Sequence, residues 1–145
     1  MIQQALEIAL RLIRTFEGCR LRAYKDVVGV WTICWGSTRG VKEGDVATQT
    51  RCDMLLASEA GGFMLRVLQL CPELAPYPAR LAAVTSFAYN LGLGSLSAST
   101  LRRKIRRRDW RGAGAEFPKW RFAGGRELRG LVIRRALERK TFEGA

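Results

Sequence analysis

Apolar residues recur at helical spacing from the start of the chain: Ile2, Leu6, Ala9, Leu10, Ile13 and Phe16 fall on one face. The pattern predicts an amphipathic helix over residues 2–17, stopped by Gly18. Glu17 then occupies its last turn, beside Phe16. A helix dipole already concentrates negative charge at that end, and an apolar neighbour excludes water, so both effects disfavour an ionised carboxylate there. Between residues 20 and 36 the period changes. Leu21, Ala23, Val28, Val30, Trp31, Ile33 and Trp35 predict two or three short strands, with Gly29 in a turn. Strand alternation puts Trp31, Ile33 and Trp35 on one face and Thr32 on the other. With Thr32 toward a cleft, the tryptophans belong to a core, unless distortion of the strand reverses the faces. Residues 36–44 read as loop.

From Thr48 the helical period returns through Cys52, Leu55, Leu56, Ala60, Phe63, Met64, Val67 and Leu68, and Gly61-Gly62 predicts a kink or break. Pro72, Pro76 and Pro78 mark a connector, with Pro78 suited to the first position of a helix. Residues 79–91 are strongly apolar and end in N-L-G-L-G, which predicts a central buried helix. Ser97 or Ser99 caps a helix reaching Arg108, and Asp109 caps a short one that Pro118 ends or kinks. After Gly124-Gly125 a last helix over residues 126–142 is expected to turn Leu128, Leu131, Val132, Ala136 and Leu137 inward.

Composition narrows the partners. The chain has 145 residues, 48% of them apolar, enough for one folded domain. A net charge of +12 favours anionic partners: nucleic acid, anionic lipid or a polyanionic wall polymer. With no histidine, Ser-His-Asp and Cys-His catalysis and imidazole metal sites are excluded. Cys19, Cys34, Cys52 and Cys71 show no C-x-x-C spacing and allow three disulfide connectivities. The first residues lack a basic n-region, and Glu7, Arg11 and Arg14 interrupt any apolar run, so no secretory signal or membrane span is read. The expectation is a cytoplasmic protein with reduced cysteines.

Two carboxylates and a hydroxyl lie close in sequence: Glu17, Asp26 and Thr32. Among thirteen carboxylates such a grouping arises easily by chance, but its surroundings are specific. The stretch E-G-x-R-L-x-A-Y-x-D-x-x-G-x-x-T-I-x-x-G resembles the catalytic segment of phage-type lysozymes, the endolysin muramidases. F-A-Y-N-L-G, S-T-L and G-R-E-L-x-G-L-V-x-R-R-x-x-E follow in the same order, so the resemblance covers nearly the whole chain.

The resemblance implies an α+β, mostly helical, lysozyme-like fold: one domain over residues 1–145, with a small β-hairpin lobe (18–70) and a larger helical lobe (1–17 plus 71–145) separated by a cleft. It implies a glycoside hydrolase that cuts the β-1,4 bond between N-acetylmuramic acid and N-acetylglucosamine in peptidoglycan. Glu17, Asp26 and Thr32 match the family's catalytic positions. In physical terms Glu17 is the general acid, while Asp26 stays ionised against the developing positive charge and, with Thr32, positions a water. Attack by that water inverts the anomeric centre. Tyr89 and Asn90, at a helix end, are candidate sugar contacts, with core tyrosine and capping asparagine as the alternative. No cofactor or metal is implied. The family further implies a monomer held in the host cytoplasm until a holin releases it to the wall.

The sequence departs from the family where T-I-G-x-G-H-T reads T-I-C-W-G-S-T: Cys34 replaces a glycine and Ser37 a histidine. Loss of the histidine's contact puts local stability in question, and Cys34 reads as a buried thiol. Arg102, Arg103, Arg106, Arg107 and Arg108, with Arg111, Arg134 and Arg135, read as a basic surface, either simply solvated or drawn to an anionic envelope. Two other functions fit the composition. One is a lytic transglycosylase, which needs only the acid. The other is a basic module that binds nucleic acid or membranes without catalysis.

Overall fold

The computed structural model describes residues 2–144. The first helix, α1 (Ile2–Phe16), buries Ala5, Ala9, Leu12 and Ile13; of the positions expected inward, Ala9 and Ile13 are buried, Leu6, Leu10 and Phe16 half-buried, and Ile2 exposed. A hairpin follows, β1 (Arg20–Lys25) against β2 (Trp31–Cys34), antiparallel, with Tyr24 opposite Thr32 and a register shift between Arg20 and Tyr24. Its turn closes through Asp26 N–H to the Val30 carbonyl at 2.9 Å and Gly29 N–H to the Asp26 carbonyl at 3.0 Å, with Gly29 at φ +86°, a region open to glycine.

Helix α2 (Gln49–Leu70) starts at Thr48, whose hydroxyl accepts the Arg51 N–H at 3.1 Å. It passes through Gly61-Gly62 without a break, contrary to the expected kink. Two glycines cost a helix about 1 kcal/mol each. Ala60, Met64 and Val67, all buried on either side of the pair, hold the helix straight through it. The prolines behave as expected: a 3₁₀ turn spans Pro72–Leu74, and Pro78 opens α3 (Pro78–Leu91). Every residue of α3 from Leu81 to Ala88 is buried, because α1, α2 and α7 pack around it.

The remaining helices are short: α4 (Leu93–Ala98), α5 (Thr100–Arg106) and α6 (Trp110–Glu116). Ser99, not Ser97, caps α5, accepting the Arg102 N–H at 3.0 Å, and Asp109 caps α6 through the Gly112 N–H at 3.0 Å. A 3₁₀ turn at Phe117–Lys119 leads to a second small hairpin, β3 (Phe122–Ala123) and β4 (Arg126–Glu127), turning at Gly124-Gly125. The last helix, α7 (Arg129–Glu143), starts three residues later than expected because β4 takes the first of them.

Its orientation is the main correction to the sequence reading. Val132, Ile133 and Ala136 face solvent, while Arg134, Arg135, Glu138 and Phe142 are buried. The reading of Arg134 and Arg135 as basic surface is therefore wrong. Opposite charges four residues apart on one helix face neutralise one another, so this face can enter the core while the apolar positions stay out.

Three groups of buried side chains matter for the site. The largest gathers α1, α2, α3 and the C-terminal elements, with Phe87 edge-on to Phe117 (5.7 Å) and Trp120 (5.3 Å). A small one beneath the first hairpin holds Ile33, Cys34 and Cys52. Between them Ile13, Leu56 and Ala60 carry Trp35 and Tyr89 on their outer side. Cys34 and Cys52 form a disulfide, which corrects the expectation of reduced thiols: the first turn of α2 packs against the end of β2, bringing their Cα atoms to 4.9 Å. Cys71 is a buried free thiol and Cys19 a half-buried one.

Candidate active site

Glu17 follows the last residue of α1, its N–H still donating to the Ile13 carbonyl at 2.9 Å, so the helix holds its backbone. Its carboxylate sits at the negative end of the α1 dipole, where a positive partner is needed. Arg134 supplies it. Nη1 donates to Glu17 Oε2 at 3.1 Å, and the guanidinium is only 4% exposed. The other oxygen, Oε1, lies against Gly36, where an added Cβ would stand 3.5 Å away. Gly36 at φ +97° thus forms a smooth wall beside the free oxygen.

Behind Arg134 is a closed set of charges. Its Nε donates to Glu138 Oε2 at 3.2 Å, and Nη2 donates to the Ser86 carbonyl at 3.2 Å. Ser86 Oγ donates to the same Glu138 oxygen at 2.6 Å. Arg135, fully buried, pairs with Glu138 at 2.8 Å and donates through Nη2 to Asn90 Oδ1 at 2.8 Å. Burial pulls the Arg135 pKa down, and the Glu138 charge opposes that. Two arginines face two glutamates, so the cluster carries no net charge into the core.

A cleft of about 400 Å³ opens in front of Glu17. Tyr89 and Asn90, at the end of α3, line it with Glu17, as the sequence reading placed them. Since Asn90 gives its oxygen to Arg135, its amide N–H groups are left to the cleft. Tyr89 Oη donates to the Trp35 carbonyl at 3.4 Å, and its ring packs on Phe63 at 5.3 Å. Burial first, then the Glu59 and Glu17 charges, push its phenol pKa far up, so Tyr89 is a neutral donor.

Asp26 and Thr32 stand on the hairpin and form no part of that cleft's wall. Asp26 Oδ1 accepts the Val28 N–H at 3.0 Å and the Val30 N–H at 2.8 Å, which fixes the carboxylate within its turn. Thr32 is buried, and its hydroxyl donates to the Val30 carbonyl at 2.9 Å. Its side chain is covered, and distortion at the end of β2 decides where Trp35 lies. β2 ends at Cys34 (φ +60°), and the chain turns tightly between paired Ile33 and Ser37, both backbone bonds 2.8 Å. That turn carries Trp35 out of strand alternation and onto the cleft wall, its Nε1 donating to Asp53 at 2.9 Å.

Sequence reasoning missed two groups. Arg134 and Glu138 were readable as charges on a shared helix face, but an exposed arginine run nearby hid them. Glu59 left no signal of its own. It lines the cleft from α2 and accepts a hydrogen bond from the buried Ser37 hydroxyl. Ser37 therefore makes a contact of its own from the hairpin lobe to α2.

Among the described residues no helix is long and apolar enough to cross a membrane. The phage lysozyme family model matches residues 14–138. A SAR-endolysin of Bacteriophage PS34 is 37% identical over 126 residues, covering 86% of this chain and 75% of the relative. An endolysin of Acyrthosiphon pisum secondary endosymbiont phage 1 is 36% identical over 146 residues, covering 96% of this chain and 97% of that one. The crystal structure of the active form of P1 phage endolysin Lyz superposes with a TM-score of 0.86 at 27% identity, over 95% of this chain and 84% of its own. With sequence and fold agreeing over nearly its whole length, the chain belongs to the phage lysozyme family and is a lysozyme-type endolysin.

Proposed function

We propose that the chain hydrolyses the β-1,4 bond between N-acetylmuramic acid and N-acetylglucosamine in peptidoglycan, with Glu17 as general acid. The observation that carries this reading is the setting of Glu17. One oxygen is clamped by a buried guanidinium, and the other lies at the cleft wall against Gly36. A clamped carboxyl presents its second oxygen in one orientation, as proton delivery to a leaving glycosidic oxygen requires. Tyr89 offers the lone pairs of its hydroxyl oxygen, and Asn90 its amide, to sugar hydroxyl and acetamido groups, beside the indole of Trp35.

Asp26 completes the reaction as the ionised partner. Its turn holds Oδ1 and leaves Oδ2 for the developing positive charge or for a water. Thr32 serves that water through the lone pairs of a hydroxyl whose proton is committed to Val30. Water attacks the face opposite the leaving group, and the first product is the inverted anomer.

The arginines of α5 and of the turn that follows it are part of the same proposal. Arg103, Arg106, Arg107 and Arg108 are exposed, and Arg102, half-buried, donates to the Leu70 carbonyl at 2.9 Å. Four of them line a groove of about 480 Å³, a surface suited to an anionic envelope. The protein works as a monomer and reaches the wall from the host cytoplasm through a holin.

Purified cell walls treated with wild type, Glu17→Gln and Asp26→Asn test the reading. Turbidity should fall with wild type and stay flat with both variants. Products should carry a full reducing end. Products lighter by one water would instead show a transglycosylase, as would an Asp26→Asn variant that keeps its activity.

A further inference from the structure

A second cavity, of about 210 Å³, lies at the opposite end of α3 from the cleft. Arg80, in the first turn of α3, and Arg111, in the first turn of α6, line it together with Trp110, Phe142 and Glu143. Ten residues separate Arg80 from Asn90, about 15 Å along a helix, so this cavity is distinct from the one beside Glu17.

Arg80 is held by rings rather than by a carboxylate. Its guanidinium carbon lies 4.4 Å from the ring centre of Tyr77, 4.5 Å from that of Trp110 and 6.0 Å from that of Phe142. Ring faces fix the plane of a guanidinium but leave the N–H donors in that plane unspent. Its Nε is buried with no hydrogen-bond partner among the described residues. Among them, neither Arg80 nor Arg111 enters an ion pair, whereas the buried Arg134 and Arg135 both face Glu138. Glu143, the carboxylate of the cavity wall, is turned to other groups. Its Oε1 accepts from Arg139 Nε at 3.1 Å, and its Oε2 lies against Gly114, where an added Cβ would stand 2.6 Å away.

Two cations on one small cavity repel, and a buried donor without an acceptor is a standing cost. One compact dianion relieves both. A carboxylate would balance only one of the two charges. Phosphate carries nearly two charges at pH 7 and offers oxygens to both guanidinium forks. The volume admits a phosphate with a few waters, at about 30 Å³ for each water, and falls short of the roughly 300 Å³ at which sites for larger ligands begin.

We infer that this cavity binds a phosphate dianion between Arg80 and Arg111, as the free ion or as the terminal phosphate of a monoester. The site is independent of the peptidoglycan reading and of the arginine groove on α5. It gives the helical lobe a point of attachment to phosphate that leaves the cleft open.

Phosphorus NMR of inorganic phosphate titrated with protein tests it, at an ionic strength held constant with sodium chloride. The proteins are wild type, Arg80→Lys, Arg111→Gln and, as a control on general charge, Arg103→Gln/Arg107→Gln. Arg111, Arg103 and Arg107 are exposed, so these substitutions leave the fold in place. Wild type should broaden the phosphate signal saturably, and phosphate should raise its melting temperature above that in chloride. Arg111→Gln should weaken the affinity about tenfold or more. Arg80→Lys, which keeps the charge but loses the stacked fork, should weaken it as well. The α5 double variant should bind as wild type does. Phosphatidylcholine vesicles with and without phosphatidic acid separate the sources: binding to phosphatidic acid that requires Arg111 assigns the site to lipid-borne monoesters, and saturable binding of inorganic phosphate alone assigns it to the free ion. Wild-type affinity in either cavity variant would overturn the inference. So would a loss confined to the α5 variant, or the absence of both saturable phosphate binding and Arg111-dependent vesicle binding.

Discussion

Arg134 joins Glu17 to Glu138: one guanidinium lies 3.1 Å from the first carboxylate and 3.2 Å from the second. Glu17 belongs to the cleft and Glu138 to the core, so the cation couples the candidate acid to the interior of the helical lobe. Removing it leaves Glu138 facing only Arg135 and leaves Glu17 without its clamp. Arg134→Met is expected to cost about 3–5 kcal/mol of stability, as loss of one partner of a buried ion pair does. Arg134→Lys keeps the charge but cannot reach both carboxylates and the Ser86 carbonyl together. It is expected to fold with a modest loss of stability and a kcat lower by about a hundredfold. Urea unfolding and initial rates on soluble glycan check the two outcomes separately. A lysine variant with wild-type kcat would show that the clamp does not position Glu17.

How much of this was legible beforehand depended on whether one element decided the outcome. The spacing of Ile2 to Phe16, Pro78 at a helix start, and the caps Ser99 and Asp109 are local signals, and each element formed where those signals stood. Glu17, Tyr89 and Asn90 line one cleft, and the helix end that singled out Tyr89 and Asn90 is again a local signal. The failures came where distant elements decide. Gly61-Gly62 stays helical because the core grips both sides. The apolar positions of α7 face outward because Arg134 and Arg135 find Glu138, Ser86 and Asn90 inside. Trp35 reaches the cleft because a tight turn interrupts the alternation of β2.

The hydrogen bond from Ser37 to Glu59 ties the hairpin lobe to α2 at the cleft edge. Ser37 is only 4% exposed, so the hydroxyl gives up water to make it. Ser37→Ala is expected to lower stability by about 1–2 kcal/mol, since it leaves a carboxylate oxygen with a lost donor. In a double-mutant cycle with Glu59→Gln, the coupling energy should be favourable and near 1 kcal/mol. Chemical denaturation of the four proteins measures it. A coupling indistinguishable from zero would mean that solvent satisfies Glu59 equally well.

Cys34 combines two opposing effects. At φ +60° it occupies a backbone region that costs an L-residue roughly 1–2 kcal/mol and that glycine enters freely, which accounts for the glycine of the family pattern. Its disulfide to Cys52 closes a loop with a sequence separation of 18, a constraint of about 3 kcal/mol. Cys52→Ala should therefore lose most of that stabilisation. Cys34→Gly/Cys52→Ala should lose less, because glycine relieves the backbone. Denaturation midpoints under non-reducing conditions decide the order, and dithiothreitol should bring wild type to the level of Cys52→Ala. A midpoint unaffected by dithiothreitol would contradict the account.

Cys71 gives the fold an alkaline limit. It is buried where α2 ends, and burial pushes its thiol from 9.0 up to about 11; the Arg102 charge opposes the shift and the Glu73 charge adds to it. The thiol stays protonated in the fold over a range where the unfolded thiol has ionised. The unfolded state then binds fewer protons, so stability must decline as pH rises. The contribution is intact below about pH 9 and is lost progressively as pH rises through 11. Tyr89, also raised by burial, acts in the same direction at still higher pH. Urea midpoints measured from pH 7 to pH 10.5 should fall for wild type above pH 9 and fall less for Cys71→Ala, whose starting stability is lower but whose buried site no longer titrates. Parallel curves for the two proteins would place the alkaline loss elsewhere.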